Sequence, residues 1–520
     1  MRFSLACRAA SPEAPCRGDR RWAACSTALG LAALAYAGAA RAQSETTPGD
    51  APTTAPSAPM VPAADAQPAP AAAPGAPAAA PRGPDDRRVP PDYDGRPEPT
   101  TAGDVALWVP RVVLFPFYVV SEYVVRRPIG WLVSTAEREH WPALFIDFFT
   151  FGDRQGGIVP TGMIDLGMRA SVGVYAFWND FIADGNDLRL RATYGGSGFW
   201  QLRVADRLAL GAGQLSLTGW YEARPDNVFL GIGPEQPDDT RSRYTSSTSR
   251  LDVTYRVPWV RSSYARVTAE LREVKLDGEP TCCDEPSVNE QVELGVFASP
   301  PGMNQVYDVG GQLAEIVFDS RFPRFAEGLE LGSDYVTPPG TGVRLALRAR
   351  AAELLDQTLA TGNALADSWV GYGASLGGYY DITGQQRSVS ATFVLDFVDP
   401  IGSGQVPLTD LVSLGGDRPL RGFLANQFVD RSAAALRLEY RWPVAVWLDG
   451  SLLYETGSVF GSGLSGFDTG KFRNSYGFGL AAVGVQDHPF QALVAIGTKS
   501  WEEGGGYDSF RFVFGTTAGF

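Results

Sequence analysis

The residues with the most chemistry in them lie in one run, Leu414-Gly415-Gly416-Asp417-Arg418-Pro419-Leu420-Arg421-Gly422-Phe423, which sets two guanidinium groups on a turn-rich segment. A guanidinium is planar and permanently charged, so it recognises carboxylates in a fixed geometry and bridges groups that would otherwise repel. That is chemistry of recognition, not of bond breaking. Gly373-Ala374-Ser375-Leu376-Gly377 matches the G-x-S-x-G pattern of serine hydrolases. The pattern needs a strand, a sharp turn and a helix around its serine, whereas Ser375 sits within an alternating segment and neither His140 nor His488 is an evident partner. A metal centre needs more ligands than these two histidines. The adjacent Cys282-Cys283 is open to two readings, a vicinal disulfide at a loop tip or an incidental loop pair. No phosphate loop, zinc pattern or dinucleotide fingerprint stands out, so the expectation is a non-enzyme without a cofactor.

These side chains need a scaffold, and composition narrows its class. The chain has 520 residues, 59 of them glycine, with 11% aromatic and 20% charged positions, which suits a turn-rich β protein with aromatic girdles better than a helical enzyme. A net charge of −14 excludes the concentrated basic face that nucleic acid requires. Arg8, Arg17, Arg20 and Arg21, the small apolar stretch Ala23 to Ala40 and the sequence Ala40-Arg41-Ala42 read as a signal peptide over 1–42; a chance Ala-rich helix is the alternative. Cys7, Cys16 and Cys25 would leave with that peptide, and a nearly cysteine-free mature chain fits an exported bacterial protein. Residues 43–97 are dominated by Pro and Ala and read as a disordered periplasmic linker. Over 98–141, aromatics such as Trp108, Phe115 and Trp131 are interrupted by Pro110, Arg111, Pro116, Arg126, Arg127 and Pro128. Those breaks exclude a transmembrane helix and leave an amphipathic segment, either an interfacial strap or a plug.

From 142 to 520 the apolar period becomes two, the strand signature. Leu436, Leu438 and Tyr440 alternate with Arg437, Glu439 and Arg441; Leu251, Val253 and Tyr255 alternate with Asp252, Thr254 and Arg256. Arginines facing away from aromatics demand a wet face, which a barrel lumen supplies. The segments number about sixteen: 163–177, 186–194, 198–208, 212–224, 244–256, 262–275, 289–299, 310–320, 341–354, 366–381, 385–398, 432–442, 445–456, 474–485, 489–499 and 509–520. The expected fold is therefore all-β, a transmembrane antiparallel up-and-down barrel. An even count returns the last strand to the periplasmic side and places 400–431 and 457–473 outside the cell. Alternation turns Glu439 and Glu455 inward.

On that count Leu420-Arg421-Gly422-Phe423 lies in the sixth extracellular loop, and here the sequence resembles the BamA/TamA superfamily and the two-partner-secretion transporters. Asn227 to Gly233 resembles the family's aromatic-Gly-x-Gly segment, and Phe318-Asp319-Ser320-Arg321, followed by Thr337 to Gly342, its Asp-x-Arg and Pro-x-x-Gly turn. The resemblance implies that loop six folds into the barrel and that Arg421 meets Glu439 and Glu455 on the next two strands, with Gly422 allowing close approach and Phe423 wedging the tip. The family more often has Asp where Glu455 stands. Phe510, Phe512, Phe514 and Phe520 resemble the C-terminal assembly signal, read by outer-membrane assembly machinery, and the resemblance implies a weak seam between first and last strands.

The implied role is insertion or translocation of client proteins, or surface assembly, in the outer membrane of a Gram-negative bacterium, among lipids including lipopolysaccharide. No stretch before Trp141 reads as the POTRA domain usual in the family. The competing reading is a passive, porin-like channel with an arginine-lined lumen.

Overall fold

Alternation of apolar and polar side chains fixes which face of each strand meets lipid, and a closed antiparallel ring is the arrangement that leaves no backbone edge in the bilayer. The computed structural model describes residues 148–152, 155–237, 240–279, 282–321, 340–357, 364–382, 386–445, 448–482 and 490–516, with isolated positions from Trp131 to Glu139. The signal-peptide and linker readings fall outside these residues, as does nearly all of the 98–141 segment.

Among the described residues sixteen strands form the barrel, with the two-residue piece Thr150–Phe151 pairing onto the start of the first: β1 (Gly156–Asp165), β2 (Ser171–Trp178), β3 (Asn186–Tyr194), β4 (Trp200–Leu210), β5 (Gly213–Phe229), β6 (Ser242–Pro258), β7 (Tyr264–Asp277), β8 (Val306–Asp319), β9 (Gly342–Gln357), β10 (Ser368–Asp381), β11 (Ser388–Ile401), β12 (Ser432–Ala445), β13 (Leu448–Phe460), β14 (Arg473–Ala482), β15 (Phe490–Thr498) and β16 (Tyr507–Thr516). Each pairs antiparallel with its sequence neighbours, and β16 pairs with β1 to close the ring. Leu251, Leu376, Phe393, Leu438 and Phe514 stand exposed on the outer face, where lipid covers them. Among the described residues no helix is long and apolar enough to span a membrane; the strands do so.

The expected count of sixteen holds through two compensating differences. The segment 163–177 is two strands, β1 and β2, because Met168 N–H closes a turn on the Asp165 carbonyl and Gly167 takes φ 91°. The segment 289–299 is no strand: it holds a short helix, α1 (Val288–Glu293), capped by Ser287, whose hydroxyl accepts from the Glu290 N–H at 3.0 Å. The Cys282 and Cys283 sulfurs are bonded to each other in the same connection.

The seam between β16 and β1 has three register pairs, Val513↔Asp165, Phe514↔Ile164 and Gly515↔Met163. The β6–β7 wall has fourteen. The ring is closed, but unevenly.

Candidate functional site

The connection from Ile401 to Ser432, loop six, folds into the barrel and packs there. It contains a 3-10 turn at Leu408–Asp410 and a ribbon pairing Val412–Leu414 with Phe428–Asp430. Gly415 (φ 97°) and Gly416 (φ 70°) turn the chain where a side chain would be strained. The return is closed by bonds from Gly415 N–H to the Pro419 carbonyl (2.8 Å) and Gly416 N–H to the Phe423 carbonyl (3.0 Å). These bonds present Leu420 to Phe423 as a rigid tip.

One end of loop six is anchored on the strands next to the seam. Arg421 donates to Glu455 of β13 twice, from Nε to Oε1 (2.8 Å) and from its backbone N–H to Oε2 (2.6 Å). Arg437 of β12 reaches Oε1 of the same carboxylate at 3.0 Å, and Glu455 is 0% exposed. Gly422 N–H donates to Ser475 Oγ (2.7 Å), and Ser509 Oγ donates to the Gly422 carbonyl (2.8 Å). A Cβ at Gly422 would lie 2.7 Å from the carbonyl carbon and oxygen of Ile496, so no other residue fits against β15. Phe423 is fully buried, edge-on to Phe428 with ring centroids 4.9 Å apart. Arg511 of β16 also holds the loop, donating Nη1 to the Gly416 carbonyl at 2.5 Å.

The other end is anchored on the far wall. Asp410, buried, lies between Arg272 of β7 and Arg350 of β9; Arg350 Nη1 meets its Oδ1 at 2.6 Å. Glu270 of β7 pairs with Arg350 as well, reaching it across β8, and takes Arg250 Nη2 at 3.0 Å. The crossing needs Gly311 on β8, where a Cβ would come 2.7 Å from Glu270 Oε1. A similar gap at Gly373 on β10, in register with Arg348 and Asp396 on its two neighbours, lets those side chains meet at 2.9 Å. Burial pushes the Asp410 carboxyl up, but the Arg272 and Arg350 guanidinium groups outweigh it and hold it below the usual aspartate range.

Between the anchors the loop is apolar. Val406, Leu408, Leu411, Leu420, Phe423 and Phe428 pack in one core with wall residues Val274, Tyr307, Val309, Trp369, Val398 and Val459. Burying each large side chain contributes roughly 1.5–3 kcal/mol, and together they pin loop six against the lumen wall. Neighbouring loops add bonds: Leu408 N–H to the Pro301 carbonyl (2.9 Å), Ala366 N–H to the Gln405 carbonyl (2.9 Å) and Gly233 N–H to the Val429 carbonyl (3.0 Å). Toward the other end lies a cavity of about 700 Å³, lined among others by Arg266, Glu315, Arg348, Asp396, Glu439 and Arg441.

Of the residues singled out in sequence, Leu420, Arg421, Gly422, Phe423 and Glu455 come together. Glu439 faces the lumen but holds Arg441 (Nη2 to Oε1, 2.9 Å), with no direct ion pair to Arg421 among the described contacts. The sequence reading that Arg421 meets both glutamates holds as a direct contact for Glu455 alone: Arg421 and Arg437 converge on that carboxylate, while Glu439 lies within electrostatic reach of Arg421 but bonds the next arginine along β12. Phe510, Phe512 and Phe514 line the outer side of β16; Phe520 lies outside the described residues. Ser375 sits mid-strand in β10, opposite Ala346 and Val394, not at a strand–helix turn. Asp319 holds Arg321, whose guanidinium carbon lies 3.5 Å from the centre of the Tyr379 ring. Sequence reading missed Asp410, Ser475, Ser509 and Arg511. Alternation alone turns the last three inward, but their partners lie far away in sequence.

No family model and no curated protein sequence matches the chain. Among solved structures it is similar to BamA from Haemophilus ducreyi lacking POTRA domains 1-3, at 13% identity and TM-score 0.45, covering 70% of each chain. It is also similar to CdiB from Escherichia coli (10%, TM-score 0.45, 69% of this chain and 62% of that one) and CdiB from Acinetobacter baumannii (8%, TM-score 0.41, 69% and 59%). The chain thus spans less than two thirds of either CdiB. Likenesses this distant decide nothing about function.

Proposed function

We propose that this chain is an outer-membrane barrel that inserts or translocates other polypeptides, or assembles material at the cell surface, with loop six as its movable closure. The observation that carries this reading is the anchored tip, Leu420 to Phe423, seated on β13, β14 and β15 beside the shortest inter-strand pairing in the ring. A permanent channel has no use for a loop core packed so firmly on its inner wall, whereas a barrel that opens for a client needs a closure built from breakable contacts. Its partners would be outer-membrane lipids including lipopolysaccharide, unfolded client proteins, and assembly machinery reading Phe510, Phe512 and Phe514 on the last strand. The segment before the barrel would lie in the periplasm of a Gram-negative cell.

Full-length protein in liposomes tests this. Wild type is expected to accelerate folding of an added outer-membrane barrel client, and Arg421→Ala to slow that by about tenfold or more, in keeping with loss of a charge-assisted contact to a buried carboxylate. Steady ion conductance, equal in wild type and Arg421→Ala and with no client acceleration, would instead assign a passive channel.

A further inference from the structure

Arg511 spends its donors in two directions. Nε and Nη2 form a fork on Asp165 of β1, at 2.9 and 2.8 Å, across the seam. Nη1 donates to the loop-six carbonyls of Gly416 (2.5 Å) and Arg421 (3.3 Å). We infer that Arg511 couples the seam to loop six, so that release of either weakens the other.

Three features of the site lead to this. Asp165 is itself a seam residue, in register with Val513, and the next residue donates the adjacent seam bond, Leu166 N–H to the Phe512 carbonyl at 3.0 Å. With three register pairs holding β16 to β1, a forked ion pair at their margin is a large share of the closure. Arg511 is 4% exposed because loop six lies over it. When the tip leaves, water replaces the two carbonyls and the local dielectric rises, so the attraction between Arg511 and Asp165 falls several-fold. In the other direction, a departing β1 strands a buried cation. Asp417 on loop six lies nearby, but its Oδ1, 3.8 Å from Nη2, is beyond hydrogen-bond reach and does not replace the fork on Asp165. Arginine suits this because its planar fork presents separate donors to two acceptors at once; lysine offers one point charge.

The inference rests on the reading that loop six moves, but its test does not need a client. Hydrogen exchange by mass spectrometry on the full chain in lipid nanodiscs follows peptides from β1, β16 and residues 411–424. Arg421→Ala, which leaves Glu455 paired with Arg437, is expected to speed exchange in 411–424 and also in β1 and β16, by at least about fivefold, the low end of ordinary coupling. Asp165→Asn is expected to loosen 411–424 by the same factor, since coupling between sites is reciprocal. In an Arg511→Lys background, Arg421→Ala should no longer affect the seam, while β6 and β7 stay unchanged throughout. Seam exchange that ignores Arg421→Ala, with 411–424 exposed, would overturn the coupling. Should Arg511→Lys fail to fold, the Arg421 and Asp165 variants decide alone. Coupling without client acceleration would refute the proposed function and leave this inference standing.

Discussion

The two flanks of the lumen on which loop six rests are built on opposite terms. At the β6–β7 wall, fourteen register pairs bind neighbouring strands, and loop six adds one buried carboxylate, Asp410, to arginines already braced by Glu270. At the seam, three pairs bind β16 to β1 and one side-chain fork, Arg511 on Asp165, crosses between them, while Ser509 of β16 and Ser475 of β14 hold Gly422 of loop six alongside. With each backbone bond worth about 0.5–1.5 kcal/mol net, the wall has far more backbone to hold it than the seam, which on the proposed coupling leans on loop six. Closure of this barrel is therefore shared between a backbone that cannot let go and side chains that can.

The largest perturbation of that contrast is at the wall anchor. Asp410→Asn leaves Arg272 and Arg350 with Glu270 alone and is expected to destabilise the seated loop by about 3–5 kcal/mol, the cost of stripping one partner from a buried ion pair. Protease cleavage within 402–431 on intact proteoliposomes would report it. The same anchor sets an acid limit. Because the folded Asp410 carboxyl lies below its usual value, its contribution is complete above the unfolded value of about 3.9 and is lost as pH falls through the folded one. Loop six should thus stay protected at pH 4 and become cleavable only in stronger acid, whereas Asp410→Asn should be cleavable already at neutral pH.

A smaller effect is expected at the seam. Gly515 has φ 144°, and a Cβ there would lie 2.0 Å from the Gly162 carbonyl oxygen. Gly515→Ala should cost about 1–3 kcal/mol of backbone strain, seen as faster exchange in β1 and β16 with the wall unchanged. Smallest of all, Gly378→Ala on β10 meets nothing within 4 Å and needs no unusual φ. It should leave loop six in place and shift urea unfolding in micelles by about 0.4–1 kcal/mol toward stability. Equal responses at Gly515 and Gly378 would erase the distinction between the seam and the rest of the ring.

The barrel was legible in the sequence because alternation is a local signal, repeated strand after strand. It failed where local signals conflict. In β1, Gly156, Gly157 and Pro160 dilute the alternation, so the strand merged with its neighbour. Around α1, Val292, Leu294 and Val296 alternate like a strand, while the capping pair Ser287 and Glu290, three residues apart, marks a helix start. Leu420 to Phe423 and Glu455 were found because a family resemblance carries long-range geometry that periodicity lacks. Glu439 shows the limit: its inward face was readable, but its choice of Arg441 depends on side-chain reach along one strand. Asp410 and Arg511 act across the lumen or the seam, separations that no pattern within a strand encodes.

The glycine gaps in the lumen wall carry a consequence for how this sequence can change. Arg348, Gly373 and Asp396 occupy three consecutive strands at one level, as do Glu270, Gly311 and Ala352 beside Arg350. A side chain at either glycine would occupy the space its charged neighbours use to meet. Each trio is thus one inherited unit: the glycine is free to vary only after the carboxylate is gone, and a carboxylate can arise there only opposite a glycine.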